Sequence, residues 1–412
     1  MKSFVARKPF LSNFLGLDTA GLYGVLLAIY WTASNLVYFM RGVVSRLLGE
    51  DIAQIFIPSI YVIFGLLSLP WIVKRIKLYD LLVFGIIVIY FFFCYSLFPA
   101  NSRFLDAIKV SFLCYSLPAL FVGLALDVER CDRILYVTSI VAVLIVTLST
   151  MMGGGTLGEG EDEDMTRSYS MLAPTLVVFF HYYRFRKPFD LFVSFIGFFL
   201  IFALGARGPL ACVILFFVLY FMIFREYKHP VFVRSIMVIL FFIVILFFNY
   251  IINALSALSA NLGLSTRILE FAGYGLQDQS LGREIIYANV FEQAVHGPFW
   301  GSGFCADRVF SNFYDTDTYA HNVVLELWVE FGIVPGSVII GLILLFMILA
   351  IKNIGSYEGR VFMLIMFVSG ICSLLFSSSY LVSSMFFITV GLFISYARNG
   401  SHVKRLNNNV KD

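Results

Sequence analysis

The sequence predicts an all-α polytopic membrane protein with about twelve transmembrane helices. The 412-residue chain is 60% hydrophobic and 13% charged, and its mean hydropathy is +0.89. A soluble domain of this length would need far more polar surface, so the composition excludes that class. The hydrophobic residues also occur in long runs, and about 20 such residues in a helix cross a bilayer.

The chain is predicted to form one integral membrane domain, 1–412, and its first hydrophobic run is predicted to be a retained span. The N-terminal residues lack the apolar core and small-residue cleavage site of a signal peptide. The predicted spans are 17–40, 52–73, 79–98, 104–126, 134–152, 168–183, 189–206, 208–224, 231–252, 322–350, 361–376 and 380–397.

The distribution of charge predicts that both termini are cytoplasmic. With the N-terminus inside, 20 of the 29 basic residues and 9 of the 26 acidic residues fall on the cytoplasmic side. Basic loops stay on the side where synthesis occurs. The segment 253–321 then becomes a long outer loop with short helices inside it, and 398–412 becomes a disordered cytoplasmic tail.

The cysteines and the acidic run indicate no cofactor. The six cysteines lack CxxC spacing, so neither a disulfide framework nor a metal site is predicted. The outer run Glu159–Asp164 lacks the ligand spacing of a calcium loop and is interpreted as a solvated charge run. His181 and His229 lie in cytoplasmic-side segments, whereas His296 lies in the outer loop and is a candidate accessory residue.

Arg207 and Arg283 are the first candidates for anion binding. Arg207 lies between two spans in "GARGPL", where it either snorkels at the membrane surface or binds an anion at the start of a helix. Arg283 opens an amphipathic helix in the outer loop. It either pairs with Asp278 or Glu284 or contributes its guanidinium to an anion site.

His321 is the candidate general base. It opens the tenth predicted span, in which a four-residue step places Asn322, Glu326 and Glu330 on one face. A neutral histidine can accept a proton from a hydroxyl group near pH 7. Alternatively, His321 and Asn322 only cap the helix while the two glutamates pair with arginines of the bundle.

Three motifs resemble the bacterial O-antigen ligase/polymerase family (the Wzy and WaaL types). They are "GARGPL" between central spans, "LGREIIYANVFEQAVHGPFWGSGF" in the outer loop, and "AHNVVLELWVEFGIVPG" at the tenth span. The second motif contains Gly301 and Gly303, which resemble the family's Gly-x-Gly element. The resemblance covers about residues 200–340, and Pro335-Gly336 departs from the family pattern and is expected only to bend the tenth helix.

This resemblance implies a C-type (GT-C) glycosyltransferase fold in the bacterial inner membrane, with the active site on the periplasmic face. It implies a glycan donor linked to undecaprenyl pyrophosphate, held by Arg207 and Arg283. His321 would deprotonate the acceptor, which is another glycan or lipid A-core. The expected surroundings are membrane lipids and a chain-length regulator protein, and neither a cofactor, a metal nor a nucleic-acid partner is expected.

Two functions fit this pattern, and two others fit it less well. The chain either polymerises O-antigen repeat units, which the motif favours, or ligates the glycan to lipid A-core. A transporter or flippase would place charges near the bilayer midplane on several helices and show internal pseudo-symmetry. A non-catalytic scaffold would give no reason for two arginines and a histidine on one side.

Overall fold

The computed structural model describes residues 26–32, 44, 49–152, 161–204, 207–224, 283–311 and 319–408. Within these ranges the secondary structure is helical and contains no strand, so the all-α prediction is confirmed there. Among the described residues, five helices are long and apolar enough to cross a membrane: Leu78–Leu97, Pro99–Ala125, Cys131–Leu148, Ile333–Asn353 and Tyr357–Leu375. These spans indicate a multi-pass membrane protein.

The helices of the described residues are numbered in chain order. They are α1 (Glu50–Arg75), α2 (Leu78–Leu97), α3 (Ser102–Val110), α4 (Ala119–Ala125), α5 (Val128–Met152), α6 (Glu161–Phe185), α7 (Pro188–Ala203), α8 (Arg207–Ile223), α9 (283–296), α10 (Ala306–Phe310), α11 (Val323–Phe331), α12 (Ile333–Asn353), α13 (Tyr357–Gly370) and α14 (Ser384–Asn408). A π-helical segment, Ser111–Ser116, separates α3 from α4. The predicted span 231–252 and most of 17–40 lie outside the described residues.

The two ends of the bundle are closed by different kinds of contact. At one end, which we call the basal end, Arg75 lies 3.4 Å from Asp127 and Arg398 lies 2.8 Å from Asp80. These residues come from helix ends that the charge distribution predicts to be cytoplasmic. At the opposite, apical end, the Asn101 side chain donates to two carbonyl groups of the segment between α9 and α10.

The tenth predicted span, 322–350, is two helices rather than one. The chain turns at Gly332, which has a φ of 88°, so α11 ends at Phe331 and α12 starts at Ile333. The two helices pack on each other, and the Trp328 indole donates to the Ser337 hydroxyl at 3.0 Å. Pro335, where a bend was expected, lies in the first turn of α12, where a proline needs no hydrogen-bond partner for its nitrogen.

The predicted disordered tail also differs from the structure. Helix α14 continues to Asn408, although disorder was predicted from residue 398. No proline interrupts the sequence after Ser384, so the backbone hydrogen bonds of the helix can continue past the membrane boundary.

Candidate active site at the apical end

A glycine turn after α9 closes the C-terminal end of α11. Gly301 and Gly303 both have a φ of 79°, a conformation that glycine adopts without steric cost. The amide of Ser302 donates to the carbonyl of Val329 at 2.8 Å, and the amide of Gly303 donates to that of Glu330 at 3.0 Å. The turn therefore satisfies carbonyl groups that a helix end leaves unpaired.

Replacing Gly332 with alanine is expected to destabilise this junction by about 1–3 kcal/mol. The new methyl group would lie 2.8 Å from the carbonyl carbon of Phe299, on a backbone whose φ is already 88°. Thermal unfolding in detergent measures the effect. Gly341→Ala in α12 is the matched control, because a methyl group there meets no atom within 4 Å. Equal unfolding temperatures for the two variants would contradict the tight junction.

Glu326 and Glu330 are buried on one face of α11 and tie it to two neighbours. The Glu330 carboxylate accepts from the amide of Cys305 at 2.7 Å and from the Tyr380 hydroxyl. The Glu326 carboxylate accepts from the amide of Tyr380 at 3.3 Å. Both glutamates are fully buried, so they hold the turn and the short helix Tyr380–Val382 against α11 and do not face solvent.

The adjacent residues Asp307 and Arg308, which the sequence analysis did not select, are also buried. The Asp307 carboxylate accepts from the amide of Ala320 at 2.9 Å. The Arg308 guanidinium lies 5.5 Å from the centre of the Tyr319 ring and is close enough to the glutamates of α11 to interact with their charges. A sequence signal did exist, because an acid and a base stand side by side in the apolar stretch that follows Gly303.

His321 lies at the junction of these elements. Its φ is 49°, a left-handed conformation that is uncommon outside glycine, and its ring lies 3.9 Å from the Tyr319 ring, centre to centre. Burial, and secondly the positive charges of Arg283 and Arg308, lower the pKa of His321 to about 4. The imidazole is therefore neutral at pH 7, the state in which it can accept a proton.

Asn322, not His321, caps α11. The Asn322 side chain accepts from the amide of Val324 at 3.0 Å and from that of Leu325 at 3.4 Å. The alternative in which both polar residues only cap the helix therefore accounts for Asn322 alone. The Nδ1 atom of His321 is buried and has no hydrogen-bond partner among the described residues.

Arg283 is the exposed arginine at the first described turn of α9. The inner face of that helix, which includes Ile286 and Val290, packs on α11. The Arg283 guanidinium donates to the carbonyl of Phe376 at 3.4 Å. Within the described residues it forms no ion pair with a carboxylate, and Asp278, one of the partners considered above, lies outside them.

Arg207 begins α8, and the next residue, Gly208, lies close to Phe376. A methyl group added to Gly208 would lie 2.9 Å from the Cβ atom of Phe376 and would clash with the Tyr169 hydroxyl, so α8 starts in close contact with both residues. Phe376 also accepts the hydrogen bond of Arg283. The start of α8 and Arg283 thus meet at Phe376, and Arg283 is near enough to His321 to lower its pKa.

The weaker candidates lie elsewhere or outside the described residues. His181 is at the basal end, where its Nδ1 atom lies 2.6 Å from a carboxylate oxygen of Asp190. His296 is exposed near the end of α9. His229 and the first part of the run Glu159–Asp164 are not described. No group of three or more histidine, cysteine or acidic residues in the described part of the chain could hold a metal ion.

Comparison with known families addresses the segment that contains the candidate site. Residues 192–340 match a family model described as Wzy_C, O-antigen ligase. The matched segment contains Arg207, Arg283 and His321 as well as the glycine turn. A search of curated proteins finds no match to the chain. Residues 192–340 of the chain are therefore similar to the O-antigen ligase family.

Proposed function

We propose that the chain is a membrane glycosyltransferase that transfers a glycan from undecaprenyl pyrophosphate to an acceptor sugar on the periplasmic face of the inner membrane. The match of residues 192–340 to the O-antigen ligase family supports a role in surface-polysaccharide assembly. The finer proposal rests on one observation: Arg283, the start of α8 and a neutral His321 lie close together at the apical end. All three lie in the matched segment.

Arg283 and Arg207 are proposed to hold the donor pyrophosphate. A pyrophosphate leaving group is already activated, and its negative charge grows as the bond to the sugar breaks. Guanidinium groups bind phosphate oxygens with paired hydrogen bonds and stabilise that charge without a metal ion. The proposed mechanism is therefore metal-independent. Arg283 suits this role because it is exposed and hydrogen-bonds a carbonyl group instead of a carboxylate.

His321 is proposed to act as the general base. Its depressed pKa keeps the imidazole unprotonated at neutral pH, and a neutral imidazole can accept the proton of a sugar hydroxyl. The deprotonated acceptor oxygen then attacks the anomeric carbon while undecaprenyl pyrophosphate leaves. A single displacement of this kind inverts the configuration of the anomeric carbon.

The proposed acceptor is a second lipid-linked repeat unit, which makes the chain an O-antigen polymerase. The second candidate is the ligase, whose acceptor is lipid A-core, and the description of the matching family favours it. Both reactions use the same donor and the same chemistry. They differ only in which hydroxyl group reaches His321.

Deletion of the gene separates the two acceptors. A lost polymerase leaves a single repeat unit on the core in lipopolysaccharide gels. A lost ligase leaves bare core and accumulated lipid-linked polymer. We expect the single repeat unit, and bare core with accumulated polymer would assign the ligase reaction instead. Unchanged lipopolysaccharide, in a strain that makes no second enzyme of this type, would contradict both candidates.

A further inference from the structure

Two arginines lie near His321, and they differ in their surroundings. Arg283 is exposed and has no described ion-pair partner, so its charge is available to an anionic ligand. Arg308 is 6% exposed and lies among the buried carboxyl groups of Asp307, Glu326 and Glu330. Because these acids already offset its charge, Arg308 is poorly suited to bind a soluble anion.

Arg308 instead contacts the residue that supports the histidine ring. Its guanidinium lies 5.5 Å from the centre of the Tyr319 ring, within the range of a cation–π interaction. The Tyr319 ring lies 3.9 Å from the His321 ring, tilted by 37°. The three side chains therefore stack in the order Arg308, Tyr319, His321. Buried acids hold Arg308 in place.

The backbone on either side of His321 is held as well. Asp307 accepts the amide proton of Ala320, the residue before the histidine, at 2.9 Å. Asn322, the residue after it, caps α11. These contacts maintain the φ of 49° at His321, because an uncommon backbone conformation persists only where neighbouring structure enforces it.

We propose that the pair Asp307 and Arg308 is the positioning element of His321: Asp307 holds the backbone before it, and Arg308 holds the Tyr319 ring against its imidazole. This inference rests on the proposed role of His321 as the base. The pair would not touch substrate. It would set the orientation of the imidazole and, through the positive charge of Arg308, keep the imidazole neutral in the free protein.

The first test measures the protonation of His321 directly in the full-length protein in lipid nanodiscs, without substrate. Hydrogen exchange at the imidazole C2 position, followed by mass spectrometry, gives a pKa for individual histidines. The charged and titratable groups near the ring include Arg283 of α9, Arg308 of α10 and Tyr319 beside it. Tyr169 of α6 interacts with Arg283 and Tyr319. The wild-type midpoint is expected near pH 4. Arg308→Gln should raise this His321 midpoint, and Arg308→Lys should leave it nearer the wild-type value. The exchange midpoint of exposed His296 should be the same in both variants as in the wild type.

The second test measures turnover of a lipid-linked donor at pH 7. Arg308→Gln is expected to lower kcat about 10- to 100-fold with little change in KM, the loss expected when a reacting group is misplaced. Arg308→Lys should restore part of the rate. Arg308→Gln leaves buried acids without their positive partner and could prevent folding, so Tyr319→Leu is the second variant. Tyr319→Leu should lower kcat. Tyr319→Phe keeps the ring and should not lower kcat.

The outcomes separate this inference from the proposed function. If Arg308→Gln and Tyr319→Leu leave both the His321 midpoint and kcat unchanged while His321→Ala is inactive, the positioning role is wrong and the base assignment stands. If His321→Ala turns over normally, the base assignment itself fails. A raised midpoint in Arg308→Gln together with rescue by Arg308→Lys supports the inference.

Discussion

Replacing His321 with alanine is expected to lower turnover about 10²–10⁴-fold, the contribution typical of a general base. The expectation follows from a half-buried imidazole that the surrounding burial and charge keep neutral at pH 7. The measurement is the rate of glycan transfer by the purified variant from a lipid-linked donor. Because Asn322 and not His321 caps α11, the variant should stay folded and in the membrane.

A matched control separates a catalytic loss from a general one. His296 lies in the same predicted outer loop, is exposed, and has its ring nitrogen 3.1 Å from a carbonyl of its own helix. His296→Ala should therefore transfer glycan at nearly the wild-type rate. Near-normal turnover in His321→Ala would reduce that residue to a structural role and remove the proposed mechanism.

Replacing Arg283 with alanine should eliminate long-chain polysaccharide and lower transfer about 10²–10³-fold, the usual cost of removing one group that stabilises developing charge. Arg283 is exposed at the apical end, and within the described residues its guanidinium donates to the carbonyl of Phe376 and forms no ion pair, so its loss should leave the fold intact. Lipopolysaccharide gels show chain length, and binding of undecaprenyl pyrophosphate to the purified protein shows the loss of affinity.

Arg103→Ala is the comparison for this variant. Arg103 is another exposed arginine at the apical side, two residues after Asn101, and its removal takes away the same charge at a different place. It should leave chain length unchanged. An Arg283→Ala strain with normal chain length and normal pyrophosphate affinity would rule out the proposed donor contact.

Several residues of the proposed site have a local signal in the sequence. Arg207 and Arg283 interrupt apolar or amphipathic stretches, and His321-Asn322 stands at the start of a helix. Gly301 and Gly303 are close together in a loop, and both have the positive φ that such spacing suggests. These features need no knowledge of distant contacts.

The features that were missed depend on contacts between distant segments. The hydrogen bonds that Glu330 receives from Cys305 and Tyr380 join residues 25 and 50 positions away. Burial of Asp307 and Arg308 is likewise a result of packing between α10 and α11, because both residue types are usually exposed. No periodic pattern in the sequence reports such pairings.

The break in the tenth predicted span has a similar origin. The run from Val323 to Ala350 is apolar except for its two glutamates and Ser337, which favours one long helix. The turn at Gly332 forms because the glycine turn between α9 and α10 packs against its backbone. Pro335 drew attention in the sequence, yet a proline in the first turn of a helix causes no break.

The central claim is the transfer of a glycan from a lipid pyrophosphate at the apical end. The most direct test supplies the purified protein in nanodiscs with a synthetic undecaprenyl-pyrophosphate-linked repeat unit. It then follows released undecaprenyl pyrophosphate and, by NMR, the configuration of the new linkage. We expect release that requires an acceptor glycan, an inverted anomeric carbon, and loss of both products in Arg283→Ala and His321→Ala. A donor that remains intact, or a new linkage with retained configuration, would contradict the account.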